Sequence, residues 1–326
     1  MVLRVHLWFC LVMRYRVAFF GTPEFAVPTL QALIDGPDEV VGVVCQPDRP
    51  AGRGQKLQAP PVKQLAQECG LHVAQPVKLK SDEFPAALAA WRPDLAVVAA
   101  YGRILPPRVL ETPHLGCINV HASLLPAYRG AAPIQWAILN GDDETGVTIM
   151  RMNERMDEGD ILLQRATPIG SDETYGALQT RLAMLGAAAL MKTLDDLYAG
   201  TLKATAQDHS RATLAPMIRK EQGAIDWRLP AVVLARRVRG FNPWPSAYTT
   251  LRDKLLKIHI AHAERGGGEA GRVVDVGDRI RVATGDGVLA IETLQLAGRK
   301  PLPARDFARG GGLAVGERLG AATAAG

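Results

Sequence analysis

Val17-Ala18-Phe19-Phe20-Gly21-Thr22-Pro23-Glu24-Phe25-Ala26 decides the fold. Residues 17–21 form a short apolar run, as in a strand buried on both faces, and residues 23–34 then read as a helix opened near Thr22. Residues 40–45 repeat the strand pattern, 62–69 and 83–91 read as helices, and 95–99 as a further buried strand. Strands alternating with helices in this way imply a parallel, doubly wound, Rossmann-like α/β sheet. Dinucleotide redox chemistry is disfavoured. The turn Gly21-Thr22-Pro23-Glu24-Phe25 lacks Gly-x-Gly-x-x-Gly and puts Pro23 where a phosphate-binding amide would be useful.

With 326 residues, 48% of them hydrophobic and 22% charged, the chain is long enough for two ordinary cores. Cys10, Cys45, Cys69 and Cys117 lie far apart without Cys-x-x-Cys spacing, which argues against a zinc ribbon or disulfide framework and fits a reducing cytoplasm. Residues 1–14 are expected to be a disordered extension. They resemble a signal peptide only superficially, and Met13 is a candidate start. No segment reaches the roughly 18 uncharged apolar residues of a spanning helix, so no membrane association is expected.

The expected first domain covers residues 15–200 and ends in a long helix over residues 174–198. A polar linker at 201–212 leads to a second domain at 213–315, followed by an Ala/Gly tail at 316–326. In the second domain a short helix near 232–239 precedes strands at 247–251, 257–262, 271–276, 280–283 and 288–294, the pattern of a small OB-like β-barrel. This domain is basic: residues 213–310 hold 17 Lys and Arg against 10 Asp and Glu, while the rest of the chain holds 21 against 23. Excess positive charge on one module suits a polyanion such as nucleic acid, a merely soluble surface being the plainer alternative. Residues 46–61 form a long Pro- and Gly-rich loop with Arg49, Arg53 and Lys56, which reads either as a phosphate-contacting arm or as a solvated loop.

Cys117-Ile118-Asn119-Val120-His121 alternates as a strand does, so Asn119 and His121 share a face. An Asn amide and a protonated imidazole can both donate to a developing oxyanion, and Asp157, in Met156-Asp157-Glu158-Gly159-Asp160, can orient and charge-stabilise the ring. That combination suits acyl transfer without a covalent nucleophile. Taken singly, a strand histidine is more often structural and an aspartate beside glycine more often a turn residue. No metal is expected, because His114, His121 and Asp157 have no ligand-like spacing.

Taken together, the strings 20–26, 46–54, 100–106, 118–134 and Phe241-Asn242-Pro243-Trp244-Pro245 resemble, in order, the blocks of the folate-dependent formyltransferases, and nearly the whole chain is covered. The resemblance implies that Asn119, His121 and Asp157 are the catalytic residues. It also implies that Ser123, Leu124, Leu125 and Pro126, with Ile104 and Leu105, hold the pterin of 10-formyltetrahydrofolate. Arg49, Arg53 and Lys56 fall in the loop that, in those members formylating methionyl-tRNA, wedges toward the acceptor end. The loop and the basic barrel favour methionyl initiator tRNA as partner over the sugar-nucleotide or purine-precursor acceptors of similar enzymes. A non-catalytic RNA- or folate-binding protein is the alternative of another class. The aromatic residues of 241–245 are expected to pack rather than to stack on RNA. The expected state is a monomer. Departures from the family pattern are the N-terminal extension, the Gly266-Gly267-Gly268 run and the tail.

Overall fold

The computed structural model describes residues 15–51 and 56–320, with the backbone alone for residues 51 and 56. The expected extension at 1–14, Arg53, the Lys56 side chain and residues 321–326 lie outside what is described. The chain forms two compact units. One takes in the chain up to Arg129 together with Gly146–Ala166 and Thr180–Thr213, and the other Gly130–Thr145, Thr167–Gln179 and the chain from Leu214.

The first unit is built on a seven-stranded sheet ordered Ile161–Pro168, Glu144–Arg151, Cys117–His121, Leu95–Ala99, Arg16–Gly21, Glu39–Val44, Val73–Ala74. The Arg16–Gly21 strand is central because Val17, Ala18, Phe19 and Phe20 are all fully buried, as a strand covered on both faces requires. It pairs in parallel with Glu39–Val44 on one side and Leu95–Ala99 on the other. The chain thus winds outward from one edge of this strand and returns to the other, so that the loops after Arg16–Gly21 and Leu95–Ala99 meet at the point where strand order reverses. Ligands of doubly wound sheets bind there, outside the carboxyl ends of the strands. Thr22 Oγ1 donates to the Tyr101 carbonyl across this crevice (3.1 Å), and Gln46 Nε2 donates to the same oxygen (2.8 Å).

The sheet is mixed rather than purely parallel. Cys117–His121 pairs in parallel with Leu95–Ala99 but antiparallel with Glu144–Arg151, in a register that sets Asn119 opposite Met150 and His121 opposite Thr148. The proline-rich loop also carries structure: Arg49–Ala51 pairs antiparallel with Lys56–Gln58, and the pair forms a sheet of its own, where Pro50 interrupts no longer ladder. The long helix runs from Tyr175 to Tyr198. Within 201–212, Thr205 exchanges backbone hydrogen bonds with Ile161 (2.8 and 2.9 Å), and the Gln207 side chain is buried.

In the second unit, antiparallel strands are ordered Ala247–Leu251, Lys254–Glu264, Val288–Leu296, Ile280–Ala283, Val273–Val276. All of them feed one core, with Leu256, Ile258, Val282, Leu289 and Ile291 meeting Leu234 and Val238 from the helix Ala231–Gly240. A single core fed by every strand of an antiparallel sheet fits the small barrel expected of this unit. Leu319, from the residues expected as tail, is buried in it as well. Phe241 is buried with Ala132 and Ile218, whereas Trp244 is 51% exposed, so the expectation that this aromatic block packs holds for the first ring and not the second.

Cys45 and Cys117 are buried and Cys69 is exposed. Burial pushes the Cys45 thiol from 9.0 up to about 11, with the nearby Asp48 adding to the rise, and the Cys117 thiol up to about 12. The unfolded chain releases these protons near the ordinary thiol value while the folded chain keeps them, so this stabilisation is full below pH about 9 and is lost as pH rises toward the folded values. The melting temperature should fall between pH 9 and 11, less steeply in Cys117→Ala; a flat profile would contradict the burial. At neutral pH a thiol reagent should modify Cys69 while sparing Cys45 and Cys117.

Candidate active site

His121 ends the Cys117–His121 strand and is only 6% exposed. Its Nε2 lies 3.0 Å from the Tyr128 carbonyl oxygen, which can only accept, so Nε2 carries a proton and donates. Nδ1 is therefore the nitrogen left to gain and lose a proton. It faces Asp157 Oδ1 at 3.7 Å, close enough for the carboxylate to stabilise a charged ring but outside hydrogen-bond distance. Asn119, two residues earlier on the same face, is half-buried, and among the described residues its carboxamide makes no hydrogen bond. A donor left open in this way can turn to a ligand.

Asp157 belongs to the connection between Glu144–Arg151 and Ile161–Pro168 and holds a left-handed backbone, φ 55°. A short polar residue tolerates that conformation better than most, and such a backbone persists only where its surroundings enforce it. Gly159 is part of the enforcement: a Cβ there would lie 1.8 Å from the Arg151 carbonyl oxygen, so only glycine lets the connection fold back against the strand. Gln207 supplies another part. Its Nε2 donates to the carbonyls of Asp157 (2.9 Å) and Gly159 (2.7 Å), while its Oε1 accepts from Arg129 Nε (3.2 Å) and Nη2 (2.7 Å). Arg129 is buried, with Nη1 3.5 Å from Glu158 Oε1 and Nη2 2.9 Å from His209 Nδ1. Sequence reasoning singles out neither Gln207 nor Arg129, since a buried polar side chain in an aperiodic segment leaves no pattern to detect.

The turn after the strand is held at its backbone groups by side chains of the next two strands of the sheet. Leu125 N–H donates to Thr148 Oγ1 (3.0 Å), Thr148 Oγ1 donates to the Ser123 carbonyl (2.6 Å), and Gln164 Nε2 donates to the Leu125 carbonyl (2.8 Å). Ser123 Oγ donates to the Ala127 carbonyl at 2.6 Å, so its hydroxyl is engaged within the turn. Ser123 and Leu125 are buried, whereas Leu124 and Pro126 are half-buried. The other expected pocket residues divide: Ile104 is 72% exposed and Leu105 2%. Arg49 Nη2 donates to Gln46 Oε1 at 2.5 Å, at the base of the proline-rich loop. Arg53 and the Lys56 side chain lie outside the described residues. Among those that are described, no group of three or more His, Cys, Asp or Glu side chains is placed to hold a metal ion, and no helix is long and apolar enough to cross a membrane.

The site thus presents a carboxamide with open donors, an imidazole whose working nitrogen is set by a backbone bond, and a carboxylate held beside it. These can stabilise an oxyanion and manage one proton. The formyl transferase family matches residues 13–194, and the formyl transferase C-terminal domain matches residues 217–312. The methionyl-tRNA formyltransferase of Desulfotalea psychrophila is 50% identical over 311 residues, 94% of either chain. That of Citrifermentans bemidjiense is 51% identical over 306 residues, 94% of this chain and 96% of the relative. The crystal structure of HypX from Aquifex aeolicus in complex with tetrahydrofolic acid superposes with a TM-score of 0.61 at 18% identity, covering 90% of this chain and 46% of that one, and so shares the fold over about half its length. A match over most of the chain, in both units and with relatives of similar length, places this protein in the formyl transferase family.

Proposed function

We propose that this protein transfers the formyl group of 10-formyltetrahydrofolate to the α-amino group of methionyl initiator tRNA. Its relatives of similar length are named methionyl-tRNA formyltransferases. The observation that carries the reading to particular residues is the open Asn119 carboxamide beside a His121 ring already committed at Nε2. The donor and acceptor are substrates; no resident cofactor is required.

The amine nitrogen attacks the formyl carbon, and the carbonyl π electrons move to oxygen. Asn119 N–H and the protonated Nδ1 of His121 donate to that oxyanion, which exists only near the transition state, so these bonds lower the barrier rather than tighten binding. When the adduct collapses, the bond from carbon to the folate N10 breaks, the protonated Nδ1 gives its proton to N10, directly or through water, and the neutral Nδ1 then takes up the proton lost by the attacking amine. Asp157, 3.7 Å from Nδ1, stabilises the ring while it is charged. Leu124, Pro126, Ile104 and the turn from Ser123 would flank the pterin, while the buried Leu105 and Leu125 would act as scaffold beneath it.

Arg49, Arg53 and Lys56 on the proline-rich loop, with the basic residues 213–315, would take the tRNA backbone. In this reading residues 15–200 are the catalytic domain, 201–212 join it to the basic domain, and the enzyme works as a cytoplasmic monomer. A sugar-nucleotide acceptor would not need the basic module.

Asn119→Ala should lower kcat about 10²- to 10³-fold, the usual cost of one oxyanion donor, with KM for formyl-folate little changed. His121→Ala should cost at least as much and Asp157→Ala less. Near-normal steady-state turnover in any folded variant would remove that residue from the mechanism. Incubation with labelled formyl-folate and either charged initiator tRNA or small amino-sugars decides the acceptor. Affinity for tRNA should fall steeply with salt. Arg53→Ala and Lys56→Ala should each make that dependence shallower by about one in slope, as expected when a phosphate goes unneutralised, while folate binding is unaffected. A salt-independent tRNA affinity would count against the basic surface as the docking site.

A further inference from the structure

We propose that Gln207 is a positioning residue, setting the reach of Asp157 to His121 by clamping the Asp157 loop to Arg129; this rests on the reading of Asp157 and His121 as catalytic. Gln207 comes after the long helix, in a segment without regular secondary structure, yet it is only 6% exposed. Its carboxamide is used completely. Two guanidinium N–H groups point at Oε1, which fixes the orientation of the amide, because the reverse would set N–H against N–H. Nε2 must then face the Asp157 and Gly159 carbonyls, and its two hydrogens supply both bonds.

The geometry of the frame explains why this matters for the chemistry. Tyr128 supplies the carbonyl that holds His121, and the next residue, Arg129, supplies the guanidinium that holds Gln207. Tyr128 and Arg129 are themselves pinned by Thr213, whose Oγ1 accepts from Tyr128 N–H (2.8 Å) and whose carbonyl accepts from Arg129 N–H (2.8 Å). The acid and the base thus hang from adjacent residues of one rigid strip. Gln207 thus acts on the separation of Asp157 and His121, whose own contact, at 3.7 Å, is too long for a hydrogen bond. The left-handed backbone of Asp157 makes such a clamp necessary, since without it the residue can relax to an ordinary conformation and carry its carboxylate away.

The two ends of the carboxamide can be tested apart. Gln207→Glu keeps the oxygen facing Arg129 and strengthens that pair, but sets a second oxygen against the Asp157 and Gly159 carbonyls. If Gln207 acts on Asp157, Gln207→Glu and Gln207→Ala should both lower kcat about 10- to 100-fold, with KM for formyl-folate within about twofold and the melting transition still cooperative. The Asp157→Ala/Gln207→Ala double variant should be within about twofold of Asp157→Ala alone, because residues acting as one unit are not additive. Near wild-type turnover in folded Gln207→Glu, losses that multiply in the double variant, or a loss confined to KM would each overturn the proposal. If Gln207→Ala fails to fold, Gln207→Glu with Asp157→Ala completes the same cycle. Wild-type activity in Asp157→Ala would instead remove the catalytic assignment of Asp157, an outcome separable from the others.

Discussion

The hydrogen bond from His121 Nε2 to the Tyr128 carbonyl is the constraint on which the chemistry proposed for the site depends. An imidazole has two nitrogens and no intrinsic preference strong enough to assign their roles; a carbonyl oxygen, which can only accept, assigns them. With Nε2 committed, Nδ1 alone is free to take a proton, and it is Nδ1 that the carboxylate of Asp157 faces. Asn119 supplies the second donor from the same strand face. A bond to backbone is a sound anchor for this purpose because Tyr128 and Arg129 are held at their amides by Thr213.

That arrangement depends on the sheet being mixed. A helix, Pro133–Asn140, follows Cys117–His121 as in a parallel unit, but the next strand, Glu144–Arg151, then pairs with it antiparallel. The antiparallel Glu144–Arg151 runs back alongside until Arg151 lies opposite Ile118, and the connection that follows returns to bring Asp157 to His121. The same strand supplies Thr148, opposite His121 in register, whose hydroxyl holds both ends of the Ser123–Leu125 turn. One added strand thus orders the acid and the turn together.

Much of this is legible in the sequence wherever burial leaves a periodic mark. The apolar run of residues 17–21, the two-residue alternation through Asn119 and His121, and the close-set strands after Ala247 lead to the observed parallel core, site strand and barrel-like unit. The remainder lacks such a mark. Gln207 sits among polar residues with no period, and its burial follows from hydrogen-bond partners distant in sequence. Pro50 and its glycine-rich neighbours read as loop, although a short ladder forms between Arg49–Ala51 and Lys56–Gln58. Ile104 and Leu105, adjacent and chemically alike, part company because one faces outward and the other the core, a difference that depends on tertiary packing.

The crevice at the strand-order reversal shows how one fold is turned from one class of ligand to another. Dinucleotide sites of doubly wound sheets rely on helix N-terminal amides aimed at a pyrophosphate. Here the first turn has Pro23, without an N–H, and begins with the single 3-10 turn Glu24–Ala26 before the α-helix Val27–Asp35, in which Pro28 lies at the start. Two of the amides that would face an anion are thereby missing, and Glu24 adds negative charge at that end. Thr22 and Gln46 donate to the Tyr101 carbonyl instead, tying the first and second βα turns to the segment leading to Ile104. The loops at the crevice are thus tied to one another by these hydrogen bonds. The chemistry proposed for this protein lies one strand further, at Asn119 and His121, where a neutral amide and an imidazole would stand in place of fixed anion-binding dipoles.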